Sequence, residues 1–123
     1  MNKVALYLRS ATDNLTELKK QKCSIEKNLN RYGLQGCELI LYSDNNQSGL
    51  TEGPSFSQLK SDIISGEINT LCVLKLNRIS RSMKSLSHFY KFIKNTDLRF
   101  ISTGENIDSL RWPKMTEVKN ETH

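Results

Sequence analysis

Four short apolar runs, separated by stretches of helical periodicity, set the limits on how this chain can fold. "KVALYLR" (3–9), "CELILYS" (37–43), "NTLCVLKL" (69–76) and "LRFIS" (98–102) have the length of strands and are too short for buried helices. Between them, apolar residues recur every three or four positions. Residues 16–32 place Leu18, Ile25, Leu29 and Tyr32 on one stripe, 55–65 place Phe56, Leu59 and Ile63, and 82–95 place Leu86, Phe89, Tyr90 and Ile93. Thr16 or Asn14 is positioned to cap the first helix, while Gly33 and Gly66 are positioned to stop the first and second. Strand and helix therefore alternate. That pattern predicts an α/β domain of three layers, with a mostly parallel sheet of four strands or slightly more and helices on both faces.

Sheets of this kind collect ligands beyond the carboxyl ends of their strands. The rule selects residues 9–14, 44–49 and 77–82, all of which carry polar or cationic side chains. The second corner opens the loop "DNNQSGLTEGPS" (44–55), long for a domain this small. Composition narrows the partners. With 123 residues, 37% of them hydrophobic, the chain fits one domain. A net charge of +5 permits a polyanionic partner without proving one. No apolar run approaches the roughly 18 residues of a membrane span. The N-terminus lacks a small-residue cleavage site, so the cytoplasm is the expected location. Cys23, Cys37 and Cys72 are widely spaced, without a CxxC pair or a nearby histidine pair, and read as reduced thiols rather than metal ligands.

Arg9, Arg78 and Arg81 are expected to meet at one sheet edge. Guanidinium groups stay charged and match phosphate oxygens in bidentate geometry, so three of them would hold a phosphodiester. They would also stabilise the charge that develops when an oxygen attacks phosphorus. The plainer reading makes Arg78 and Arg81 surface charges at a helix start, a placement the helix dipole disfavours unless an anion is present. No glycine-rich phosphate loop is present. Asp44 stands alone at its strand end, and Asn77 occupies the place a second carboxylate would need. No metal or other cofactor is therefore expected, which leaves attack by a hydroxyl. His88, beside Phe89 and Tyr90, reads as structural, and Trp112 as an anchor for the tail or a partner contact.

The blocks "VALYLRSAT", "YSDNNQSG", "LKLNRISRS" and "FISTGENIDS" resemble, in order and spacing, the catalytic domain of the serine recombinases: the resolvases, invertases and large phage integrases. The likeness runs from about residue 3 to residue 109. It implies a resolvase-like fold and a role in site-specific DNA strand exchange, through a covalent phosphoserine link formed in a tetramer without metal. The first block lays Tyr7, Arg9 and Thr12 on matching positions, the second Asp44, Ser48 and Gly49, and the third Arg78 and Arg81. Of these, the resemblance assigns Arg9, Arg78 and Arg81 to the scissile phosphate and Tyr7, Thr12, Asp44, Ser48 and Gly49 to the surrounding substrate site. The chain departs from the family at its chemical centre. The nucleophilic serine falls on Ala11, the aspartate of the third block on Asn77, and an arginine before the loop's proline on Gly53. A glutamine expected near Leu15 is missing, and Gln21 answers to a second one if one residue is inserted.

Side chains alternate along a strand, so Tyr7, Arg9 and Ala11 share a face and Ser10 takes the other. A methyl group cannot attack phosphorus. Ser10 could replace the nucleophile only if the strand ended early or the corner slipped by one residue, and Thr12 ranks below it. The family also implies a long helix and a DNA-binding domain after the last block. Here a resolvase-like domain over 1–109 is followed only by a polar tail, 110–123, either disordered or a short helix begun by Pro113. A truncated piece or a naturally minimal relative is the expectation. Two functions compete: a recombinase-type enzyme of impaired chemistry, with Ser10 as a displaced nucleophile beside Arg9, Arg78 and Arg81, as a homodimer or tetramer on DNA, and an inactive DNA-binding or regulatory module that pairs with a complete recombinase. A small phosphate-binding α/β protein unrelated to recombination is a third class, but it leaves the four ordered blocks unexplained.

Overall fold

The central strand, β1 (Lys3–Arg9), is buried from Val4 to Arg9, as a strand covered on both faces must be. The computed structural model describes residues 3–10, 15–44 and 53–112. Within them β1 is flanked in parallel by β2 (Glu38–Asp44) and β3 (Thr70–Val73), and β3 pairs in parallel with β4 (Arg99–Ser102). A fifth strand, β5 (Ile107–Asp108), runs antiparallel to β4, giving the order β2-β1-β3-β4-β5. The sheet is thus mixed but mostly parallel.

Alternation along β1 divides the core in two. Val4, Leu6 and Leu8 face α1 (Leu15–Lys27) and meet Leu18 and Ile25. Ala5 and Tyr7 face α2 (Pro54–Ile64) and α3 (Met83–Thr96), whose Phe56, Leu59, Phe89 and Ile93 join Leu71, Val73 and Phe100. Phe56 links Tyr7 to Phe89 through tilted ring pairs 5.1 and 5.7 Å apart. Helices therefore cover both faces, one on one side and two on the other. No helix among the described residues is long and apolar enough to cross a membrane.

The elements differ from the sequence expectation at three places, each for a local reason. The helix expected over 16–32 ends at Lys27 and continues as a tighter turn, Leu29–Tyr32. Asn28 donates its side-chain amide to the Ser24 carbonyl and its backbone N–H to Ile25, competing with the regular ladder. Gly33 then ends the segment in the left-handed region (φ 73°), as expected. Thr16 lies inside α1, and Asn14 is outside the described residues. The strand expected over 69–76 stops at Val73, because the Leu76 N–H is taken by the Glu105 carboxylate (2.8 Å) and residues 76–78 form a tight turn. Finally, the short strand β5 follows the four apolar runs, where no run of strand length marks it. Asp108 is ion-paired to Arg99 at 2.9 Å, and the Trp112 ring lies 5.0 Å from that of Tyr90.

Candidate functional site

The carboxyl ends of β1 and β2 lie side by side, with Arg9 opposite Asp44. One residue later the Ser10 N–H donates to the Asp44 carbonyl (3.2 Å), so the pairing continues in register to residue 10. Ser10 itself is only 4% exposed. Ala11, Thr12, Ser48 and Gly49 are outside the described residues.

Tyr7 and Asp44, both buried, engage each other: the Tyr7 hydroxyl donates to Asp44 Oδ2 at 2.7 Å. The same carboxylate accepts the backbone N–H groups of Ser55 (2.9 Å) and Phe56 (3.1 Å) in the first turn of α2. A negative charge there satisfies two orphan donors and complements the helix dipole. Asp44 leaves no room for a side chain at position 53. A Cβ built on Gly53 would stand 2.3 Å from the Asp44 carboxyl carbon. The glycine where the resemblance leads one to expect an arginine thus has a steric partner.

The arginines interlock. Arg9 is 5% exposed, and its guanidinium donates to two backbone carbonyls of the turn after β3, Asn77 (2.6 Å) and Ile79 (3.4 Å). Because the acceptor on residue 77 is its backbone, this bond does not depend on the side chain that replaces the family's aspartate. Arg78 returns the contact, with Nη1 3.1 Å from the Arg9 carbonyl. Arg78 Nη2 lies 3.6 Å from Glu17 in the first turn of α1. Its buried Nε has no hydrogen-bond partner among the described residues. Arg81 is exposed immediately before Ser82, whose hydroxyl caps α3 by accepting the Ser85 N–H. Burial lowers the Arg9 pKa; Tyr7 opposes the shift, the charges of Arg78 and Arg81 add to it, and Asp44 opposes it least. The group stays ionised regardless. The corner is therefore a focus of positive charge that an anion would relieve.

The expected meeting of Arg9 and Arg78 is thus direct contact, with Arg9 behind and Arg78 and Arg81 nearer to solvent. Two further residues fix the arrangement. Gln21, 1% exposed, accepts from the Arg9 N–H (3.3 Å) and donates to the Arg9 carbonyl (2.9 Å), as a neighbouring strand would. Its independent signal in the sequence is a polar residue on the stripe between Leu18 and Ile25. Glu105, which accepts from Ser102 (2.6 Å) as well as Leu76, holds the start of the Arg78 turn. No periodicity in the sequence marks it. Among the described residues no three His, Cys, Asp or Glu side chains gather as metal ligands. The Cys72 thiol is pushed up to about 12 by burial, which keeps it protonated.

The sequence matches the family described as "Resolvase, N terminal domain" over residues 4–114. No curated protein matches it. Among solved structures, the N-terminal catalytic domain of TP901-1 integrase is similar with a TM-score of 0.77 at 26% identity, covering 98% of this chain and 92% of that one. A resolvase family site-specific recombinase from Streptococcus pneumoniae gives 0.73 at 24% identity, covering 99% and 85%. A serine recombinase from Sulfolobus solfataricus gives 0.67 at 18%, covering 99% and 78%. At such identities the last two speak to the fold alone.

Proposed function

The chain belongs to the resolvase N-terminal domain family, and from that premise we propose that it is a serine-recombinase-type domain for site-specific DNA strand exchange whose own cleavage chemistry is impaired. The observation that carries the reading is the mutual clasp of Arg9 and Arg78 at the carboxyl edge of the sheet. Arg78 and Arg81 meet the scissile phosphate. Arg9 adds positive potential from behind and fixes the turn that presents them. Tyr7 and Asp44 shape the same corner through α2, and by resemblance Thr12, Ser48 and Gly49, outside the described residues, contribute to substrate binding.

Phosphodiester cleavage through a covalent intermediate needs a hydroxyl that attacks phosphorus and a leaving deoxyribose oxygen that takes a proton. The family's serine corresponds to Ala11, which has no hydroxyl. Ser10 is a poor substitute, because it is buried and β1 keeps its register past Arg9. This burial favours a second reading as well: an inactive module that holds DNA or pairs with a complete recombinase. Homodimers or tetramers fit either role.

The test of phosphate binding is the salt dependence of duplex DNA affinity. Each phosphate contact contributes a slope of about 0.9 in log affinity against log salt. Replacing Arg78 and Arg81 by alanine should weaken binding and flatten the slope by up to about 2. An unchanged slope would refute the phosphate role.

A further inference from the structure

We propose that Glu17 is a built-in counter-anion, a carboxylate that occupies the phosphate-facing edge of Arg78 until DNA displaces it. The proposal rests on the phosphate role of Arg78 and adds a regulatory contact to it. Of the Arg78 donors, Nη1 is committed to the Arg9 carbonyl at 3.1 Å. The other edge of the guanidinium, Nη2 with Nε, is the fork that a phosphate would use in bidentate fashion. Glu17 Oε1 sits 3.6 Å from Nη2, while the buried Nε is without a partner among the described residues. That edge is therefore half occupied. Glu17 Oε1 also lies 3.4 Å from the amide of Gln21, which steadies the carboxylate on the same side of the corner.

The contact is suited to displacement. At 3.6 Å, with the two side chains 23% and 38% exposed, the pair is loose and partly solvated. Pairs of this kind are weak, whereas a phosphate closing both arms of the fork makes short charge-assisted bonds. Glu17 also favours the first turn of α1 through the helix dipole. A role confined to the dipole would change stability without any dependence of binding on Arg78, and this separates the two accounts.

The experiment measures affinity for a short DNA duplex at fixed salt in the full chain, comparing native, Glu17→Gln, Arg78→Ala and the double variant. Glu26→Gln on the same helix controls for the gain of one net charge. Glu17→Gln should bind about two- to fivefold more tightly than native, the range expected from releasing a partly exposed pair. Glu26→Gln should gain less, and the Glu17→Gln gain should vanish when Arg78 is alanine. An affinity equal to native, or a gain that persists without Arg78, overturns the counter-anion. If Arg78→Ala binds like native, the phosphate reading fails and takes the proposal with it. Because Arg78→Ala removes a contact to β1, a second measurement avoids it. The NMR signal of the Arg78 Nε–H is followed while inorganic phosphate is added to native and Glu17→Gln. The half-shift concentration should be lower in Glu17→Gln. Equal concentrations overturn the counter-anion alone, and no shift in either protein overturns the phosphate reading and the proposal together.

Discussion

At the scale of single residues, the arginine corner depends on side chains that touch backbone. Gln21 bonds both backbone polar groups of Arg9, its N–H and its carbonyl, from within a buried stripe. Replacing it by leucine keeps the apolar packing, orphans the Arg9 N–H and leaves the Arg9 carbonyl with its bond from Arg78 alone, so Gln21→Leu should cost about 1–3 kcal/mol in urea unfolding. It should also lower DNA affinity, because the strand end that carries Arg9 loses its support. Gly53 makes the opposite case, a residue needed for what it lacks. Gly53→Ala drives a methyl into the Asp44 carboxylate, 2.3 Å from its carbon, and should destabilise by about 1–3 kcal/mol. In an Asp44→Ala background the same change should cost clearly less, because the clash is gone. Equal costs in the two backgrounds would show that the collision is not the cause. The sequence exposed the cations more plainly than these supports, since Gln21 shows only as a polar residue on the apolar stripe of α1 and a glycine facing a carboxylate leaves no periodic trace.

At the scale of elements, strand and helix placement was legible because buried strands and amphipathic helices carry different hydrophobic periods. The places that were not legible are those where a side chain intercepts a backbone group: Asn28 at the end of α1 and Glu105 at the end of β3. β5 was hidden for another reason. Two residues cannot establish a period, and the strand is held by the Arg99–Asp108 pair instead. Burial alone would raise the Asp108 carboxyl, but hydrogen bonds from Arg99 and from the Leu110 N–H hold it below its ordinary value. A depressed carboxylate contributes stability that is complete above its unfolded value, near 3.9, and is lost as pH falls through the folded one. Asp108→Asn should therefore cost about 1–2 kcal/mol at neutral pH. The gap to the native protein should close as pH drops below about 4. A gap that stays constant down to pH 2 would contradict the ion pair as its source.

At the scale of the whole molecule, the alternating pattern and four ordered blocks led to the family, while the proposed loss of cleavage chemistry turns on one position within it, Ala11. A scaffold can keep its sheet, its helices and its phosphate-binding cations after its nucleophile is gone, because the first are fixed by packing and the last is a single atom. The loss of a nucleophile closes the covalent path, whereas a missing stabilising group costs about 10²–10³ in rate. Ala11→Ser should accordingly restore trace cleavage at most, since Asn77 and Gly53 also depart from the family's pattern. The most direct measurement is a search for a covalent protein–DNA adduct after incubation with supercoiled DNA, comparing the native chain, Ala11→Ser and Ser10→Ala. The account predicts no adduct from the native chain or from Ser10→Ala, and at most a faint one from Ala11→Ser. An adduct from the native chain that disappears in Ser10→Ala would contradict it and make Ser10 the nucleophile.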